Sequence, residues 1–185
     1  MAVNKSERYY TFADYLTWDD DERWEIIDGI PYAMSPGPSW NHQAILGSLH
    51  RQLSNFLLGK PCKVLLSPLD VRLDAAGKDD TVVQPDLVVV CDKSKLDKHG
   101  LAGAPDMAVE ILSPSTIKRD MVIKLRKYQQ SEVLEYWIVD PLNKTVSAYD
   151  LIGGVYTVRT YDETEKAPVR ILDGCIIDLG EVFEQ

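Results

Sequence analysis

Apolar and polar positions divide this chain into short, distinct segments. Phe12, Tyr15, Leu16 and Trp18 follow Thr11 at helix-like spacing, so Thr11–Asp19 predicts a short amphipathic helix capped by Thr11. Trp24–Ile27 and Ile30–Met34 flank Asp28-Gly29, a pair that favours a tight primed hairpin turn. Ser35–Ser39 (SPGPS) is a loop. Ile45, Leu49, Leu53 and Phe56 then recur along one face of a predicted helix, Trp40–Leu58, which Gly59 and Pro61 end. Three strand-like runs follow: Cys62–Leu73, bent at Pro68; Val82–Cys91, interrupted by Gln84-Pro85-Asp86; and Met107–Leu112. A polar turn, Asp74–Asp80, and a charged loop, Asp92–Ala104, separate them. Ser113–Thr116 (SPST) caps a helix reaching about Gln130. Glu135–Asp140 (EYWIVD) reads as a central strand. Val146–Tyr149 and Val155–Tyr161 make a hairpin through Gly153-Gly154, and Val169–Phe183 adds short strands or turns.

This order predicts an α/β (α+β) fold, a mixed central β-sheet flanked by helices. Met107–Leu112, the helix after it and Glu135–Asp140 would form a right-handed βαβ unit. A length of 185 residues suits one domain, 1–185, with its core at about 11–183. A net charge of −9 works against tight nonspecific binding to nucleic acid, which would need a local basic patch or a metal-filled cleft. Cys62, Cys91 and Cys175 are odd in number and widely spaced, which predicts three thiols in a reducing, cytoplasmic setting. The first residues have no apolar stretch of a signal peptide, and no run is long enough for a membrane helix.

The chemistry gathers between Val82 and Tyr128. In MAVEIL, Glu110 shares a strand face with Ala108 and Leu112, and Asp86 directly precedes the apolar run LVVV. A carboxylate inside such a strand is costly unless it is paired, protonated or bound to a cation. Two acids on neighbouring strands repel each other, and a hard divalent cation relieves the repulsion. Asp120, Lys124 and Tyr128 follow at i, i+4 and i+8, so a helix would present all three on one face. Structural alternatives stand beside this reading. Asp86 could serve a turn, Glu110 an internal ion pair, and Lys124 a solvated helix face.

RWEIIDG, NHQAILGSL, QPDLVVV, VEILSPST, DMVIKLRKY and YWIVDP, in that order, resemble the PD-(D/E)XK nuclease superfamily. The pattern is closest to a large bacterial branch of restriction endonuclease-like domains, and it covers about Thr11 to Phe183. The resemblance implies a metal-dependent endonuclease that hydrolyses phosphodiester bonds of DNA. Asp86, Glu110 and the Ile111 carbonyl would bind Mg²⁺ or Mn²⁺. One departure is Leu112, which stands where the superfamily places its lysine; the branch resembled here supplies that lysine from the following helix, at Lys124. Glu25 is a further catalytic candidate, for a second ion or a water. His42, Ser113 and Tyr128 are accessory candidates, and Lys118, Arg119 and Lys127 are candidates for phosphate contact. A homodimer is expected at the family level. The alternative is a catalytically silent nuclease-fold module that binds nucleic acid or a protein partner.

Overall fold

The computed structural model describes residues 8–19, 22–34 and 37–184. Ser35 and Pro36 of the SPGPS loop, and residues 1–7 of the N-terminal stretch read for a signal peptide, lie outside the described residues. The chain opens with α1 (Phe12–Tyr15), where Thr11 and Asp14 form a reciprocal capping box. The hairpin β1 (Trp24–Ile27) and β2 (Ile30–Ala33) turns on Asp28 and Gly29, both at positive φ (51° and 76°), as a primed turn requires. A Cβ on Gly29 would lie 2.3 Å from the Tyr9 ring, so that position has no room for a side chain. The long helix α2 (Trp40–Phe56) is capped by Ser39 and buries Ile45, Leu46, Leu49 and Leu53. Removing each leucine from water contributes about 2 kcal/mol.

The two long apolar runs predicted as strands each divide between two sheets. The first gives β3 (Lys63–Leu66) and β4 (Val71–Arg72), joined through a cis Ser67–Pro68 bond. The second gives β5 (Val82–Val83) and β6 (Leu87–Val90). Pro85 explains the second break, because a proline has no N–H for a ladder. The predicted charged loop contains a 3-10 turn (Lys93–Lys95) and the small strands β7 (Leu96–Asp97) and β8 (Gly100–Ala102). β9 (Met107–Ile111) follows. The helix after it carries a π-helical stretch, Arg119–Lys124, that leads into α3 (Leu125–Gln130). β10 (Glu135–Asp140) has the predicted bounds, and β11 (Thr145–Ile152) and β12 (Val155–Asp162) form the predicted hairpin. The tail holds β13 (Lys166–Pro168), β14 (Ile176–Asp178) and a short helix, α4 (Leu179–Phe183), capped by Asp178.

The architecture is mixed α and β with two six-stranded sheets rather than one. The first sheet runs β2-β1-β5-β4-β8-β7 and the second β12-β11-β10-β9-β6-β3. In the second, β9 and β10 are parallel, as a βαβ unit requires, and β6 lies antiparallel to β9. Strand alternation sends Met107, Val109 and Ile111 into one apolar cluster with α2 and the tail. Ala108 joins the opposite cluster, with Tyr128, Tyr136 and Ile138. Glu110 therefore points to the side where the π-helical segment and α3 lie.

The expectation of three thiols is corrected by this register. Lys63 pairs with Val90, so Cys62 and Cys91 come opposite each other at the strand ends, and they form a disulfide. Cys175 is a buried thiol, and burial pushes its pKa up to about 11. No helix among the described residues is long and apolar enough to cross a membrane.

Candidate active site

Asp86 sits where the chain leaves β5 in one sheet and enters β6 in the other. Its Oδ2 accepts the Ile111 N–H at 2.8 Å, across from β9. The register explains why Ile111 is available. Leu87 pairs with Val109, so the next hydrogen-bonded position would set Pro85 opposite Ile111. Proline has no N–H to donate to the Ile111 carbonyl. In an extended strand the N–H and C=O of one residue point to the same edge, so this carbonyl lies on the Asp86 side. The Pro-Asp pair thus ends the ladder and sets a carboxylate beside a carbonyl that β6 cannot pair.

Glu110 projects from the other side of β9 and is only 4% exposed. Its Oε1 accepts from Lys124 Nζ at 2.8 Å and from the Tyr128 hydroxyl at 2.9 Å. Lys124 Nζ also lies 2.7 Å from Glu25 Oε1 and 3.8 Å from Asp120 Oδ1. Glu25, fully buried in β1, accepts the Gln84 backbone N–H at 2.8 Å, which ties the hairpin to the strand crossing. Lys124 therefore joins three carboxylates from β1, β9 and the π-helical turn. π-Helical turns are frequent at functional sites.

Electrostatics separate these acids. Burial, reinforced by the charges of Asp120, Asp86 and Glu25, pushes Glu110 well above the usual carboxylate range, although Lys124 opposes it. Burial also raises Glu25, but Lys124 and Arg119 outweigh it and hold Glu25 below its ordinary value. Asp120 is raised by burial. Burial disfavours the Lys124 ammonium, yet Glu110, Glu25 and Asp120 together raise its pKa above the ordinary lysine value. Tyr128 is pushed well up by burial and by the neighbouring Glu110 charge. Glu135 supplies an internal contrast. It is also buried, and burial raises it too, but Trp137 Nε1 (2.7 Å) and the Ile171 N–H (3.0 Å) satisfy one oxygen each.

Asp86, Glu110, Ile111, Ser113, Asp120, Lys124 and His42 all line one cleft of about 840 Å³. His42, in the first turn of α2, has Nε2 3.3 Å from Asp86 Oδ2, while its buried Nδ1 has no hydrogen-bond partner. Ser113 Oγ is 3.1 Å from Ser115 Oγ and 3.2 Å from Thr116 Oγ1 at the start of the helix. The predicted phosphate contacts separate. Lys118 is exposed. Arg119 faces Glu25, with Nε 3.4 Å from Oε2, and reaches the Ala33 carbonyl at 3.4 Å. Lys127 is ion-paired with Asp28, its side chain only 12% exposed. Asp120 was not among the sequence-derived site residues, yet it is buried in the cleft, with Oδ1 making no hydrogen bond and facing the Lys124 ammonium at 3.8 Å. Its spacing of four from Lys124 was the available signal.

Among the described residues no three His, Cys, Asp or Glu side chains form a ready-made metal cage. Mg²⁺ does not need one, since it commonly takes one or two carboxylates and fills its shell with water and substrate phosphate. Asp86, Glu110 and the Ile111 carbonyl match that donor class. Glu110, Asp120 and Glu25 crowd around one ammonium, and burial together with the neighbouring acids raises the Glu110 carboxyl, a repulsion that a cation would relieve.

Comparison with known proteins agrees with this architecture. The Uma2 family model, described as "Putative restriction endonuclease", matches residues 12–180. An uncharacterized protein, slr1290, of Synechocystis sp. (strain ATCC 27184 / PCC 6803 / Kazusa) is 31% identical over 139 residues, covering 74% of this chain and 71% of that protein. The crystal structure of a "putative nuclease belonging to DUF820" from Anabaena variabilis ATCC 29413 superposes with a TM-score of 0.76. That superposition covers 95% of this chain and 98% of the other at 19% identity, which shows a common fold.

Proposed function

Starting from the fact that the chain belongs to the Uma2 family of restriction endonuclease-like proteins, we propose that it is a metal-dependent nuclease that hydrolyses phosphodiester bonds of DNA. The observation that carries this reading is the meeting of Asp86, Glu110 and Lys124 in one cleft, with the Ile111 carbonyl beside them. Asp86, Glu110 and that carbonyl would hold Mg²⁺ or Mn²⁺. When bound, such an ion lowers the pKa of a coordinated water and offsets charge on the phosphate.

The chain's own residues supply the rest. Lys124 stays protonated because three carboxylates surround it, so it acts as a fixed positive charge beside the phosphate and not as a base. Tyr128 holds Glu110 Oε1 from the protein side and leaves the other oxygen for the cleft. Glu25 aims the Lys124 amine from behind, while the Ile111 N–H fixes Asp86. His42 borders the Asp86 carboxylate through Nε2 and helps to set its position.

A second reading is a silent nuclease-fold module. The closeness of Lys124 to three acids favours it, since an ion-pair network can be purely structural. Soaking crystals in Mn²⁺ and assaying cleavage with and without EDTA distinguishes the two. The nuclease reading expects an anomalous peak between Asp86 and Glu110, and cleavage that EDTA abolishes. A well-folded protein that takes up no ion there, and cuts no duplex, single-stranded or branched DNA, sinks it.

A further inference from the structure

Resting on the nuclease reading above, we propose that the cleft takes a single unpaired DNA strand, such as a flap or gap, in preference to continuous duplex. Three features of its walls support this. First, of the three lysine and arginine side chains lining the cleft, two are ion-paired and the third is hydrogen-bonded to a neutral amide. Arg23 Nε donates to Gln84 Oε1 at 3.1 Å, Arg119 pairs with Glu25, and Lys124 is held by three carboxylates. Duplex DNA carries a phosphate charge about every 1.7 Å of axis, counting both strands, and proteins hold it with several lysines and arginines. A chain with a net charge of −9, in which Arg119 and Lys124 of the cleft are ion-paired internally, is poorly matched to that charge density. One strand presents about half of it.

Second, part of the cleft lining is apolar. Met34, Pro38, Leu112, Ile117 and Leu142 line it. Leu142 is 89% exposed and Ile117 is 44% exposed. The Leu142 tip is stiffly held, because Asp140 Oδ1 accepts the N–H of both Leu142 (2.9 Å) and Asn143 (3.1 Å), and Asn143 Nδ2 donates to Asp140 Oδ2 at 2.7 Å. The apolar surface of DNA is the face of its bases, which duplex hides in the stack and a single strand presents. Aliphatic side chains that enter a base stack are a known means of unstacking it.

Third, Trp40 is 75% exposed and lies between Ser39 and Asn41, which both line the cleft. An exposed indole on the residue between two cleft-lining positions offers a stacking platform for an unpaired base, and sequence-tolerant stacking of this kind is how many proteins hold single strands. Uncharged groups in the wall, Asn41, Gln43 and Asn143, can hydrogen-bond base edges or phosphates without adding charge.

Fluorescence anisotropy with Ca²⁺ in place of Mg²⁺ tests the proposal on labelled oligonucleotides of equal length, single-stranded and duplex. The expected result is about tenfold or more tighter binding of the single strand. Leu142→Ser and Trp40→Ala, both at exposed positions, should each weaken single-strand binding about fivefold or more and leave the weak duplex binding unchanged. Equal or tighter duplex binding overturns the proposal, as does an unchanged single-strand affinity in both variants. Asp86-dependent cleavage of duplex without strand preference would overturn only this inference. Absence of binding and cleavage for every DNA would overturn the nuclease reading with it.

Discussion

Replacing Lys124 with methionine keeps an unbranched side chain of similar length and removes the ammonium. In the native site that ammonium lies 2.7 Å from Glu25 and 2.8 Å from Glu110. At an effective dielectric of about 20, each such contact is worth about 6 kcal/mol of gross attraction. Desolvation of the buried charges cancels much of this, so the useful figure is the cost of breaking a buried pair, about 3–5 kcal/mol. The loss should depend on pH. Without Lys124, Glu25 loses its main lowering partner and Glu110 its main opposing one, so their folded-state pKa values rise. A carboxyl whose folded pKa lies above its unfolded value binds more protons when folded between the two, so stability falls as pH rises through that window. The deficit of Lys124→Met should therefore be small near pH 4.5 and grow towards pH 8. The wild-type lysine, with its folded pKa raised, keeps its contribution up to its unfolded pKa of about 10.4. Urea unfolding at several pH values measures both. A deficit below about 1 kcal/mol that does not change with pH would refute the buried network as the source of the lysine's role.

Further outcomes follow from the same geometry. Asp86→Ala and Glu110→Gln should each abolish Mn²⁺ binding by titration calorimetry and abolish cleavage, whereas Lys124→Met should retain or tighten Mn²⁺ binding while losing cleavage. Tyr128→Phe removes one donor to Glu110 Oε1 in a fully buried position and should cost about 1–2 kcal/mol of stability, read by denaturant unfolding with the fold unchanged by circular dichroism. Cys62→Ser opens a cross-link spanning 29 residues of sequence and should cost about 2–4 kcal/mol, the same loss that reduction of the wild type should produce.

Much of this molecule was readable from local chemistry. The Asp28-Gly29 turn and the Glu135–Asp140 strand carry their signals within a few residues, and the structure has both. The two long apolar runs were visible, but their division between sheets was not. An apolar residue suits either sheet, and only Pro68 and Pro85 hinted at a break. The short helix α4 does have a local signature, Asp178 followed three residues later by Glu181, although its five residues carry little periodicity. Pairing across the chain was less legible. The Cys62–Cys91 bridge follows from strand register, and the pairs Arg119–Glu25 and Lys127–Asp28 follow from how the hairpin packs on the helix. Read as free surface charges, those two cations looked like phosphate contacts. The Asp86, Glu110 and Lys124 arrangement was legible because strand alternation and helix spacing act on short stretches, and because Leu112 leaves no amine on the strand itself.

A π-helical turn accommodates one residue more than an α-turn, and Arg119–Lys124 therefore behaves as a stored insertion. At its end and just beyond, Lys124 and Tyr128 are anchored in the core against Glu110 and Tyr136. Upstream, Arg119 and Asp120 face the cleft from the helix start. Deleting one residue between these groups would let the turn relax to α-geometry and rotate the upstream half against the anchored one. Because Arg119 shares Glu25 with Lys124 and Asp120 lies beside the same ammonium, the wall of the cleft and the setting of the buried lysine would shift together if that extra residue were lost.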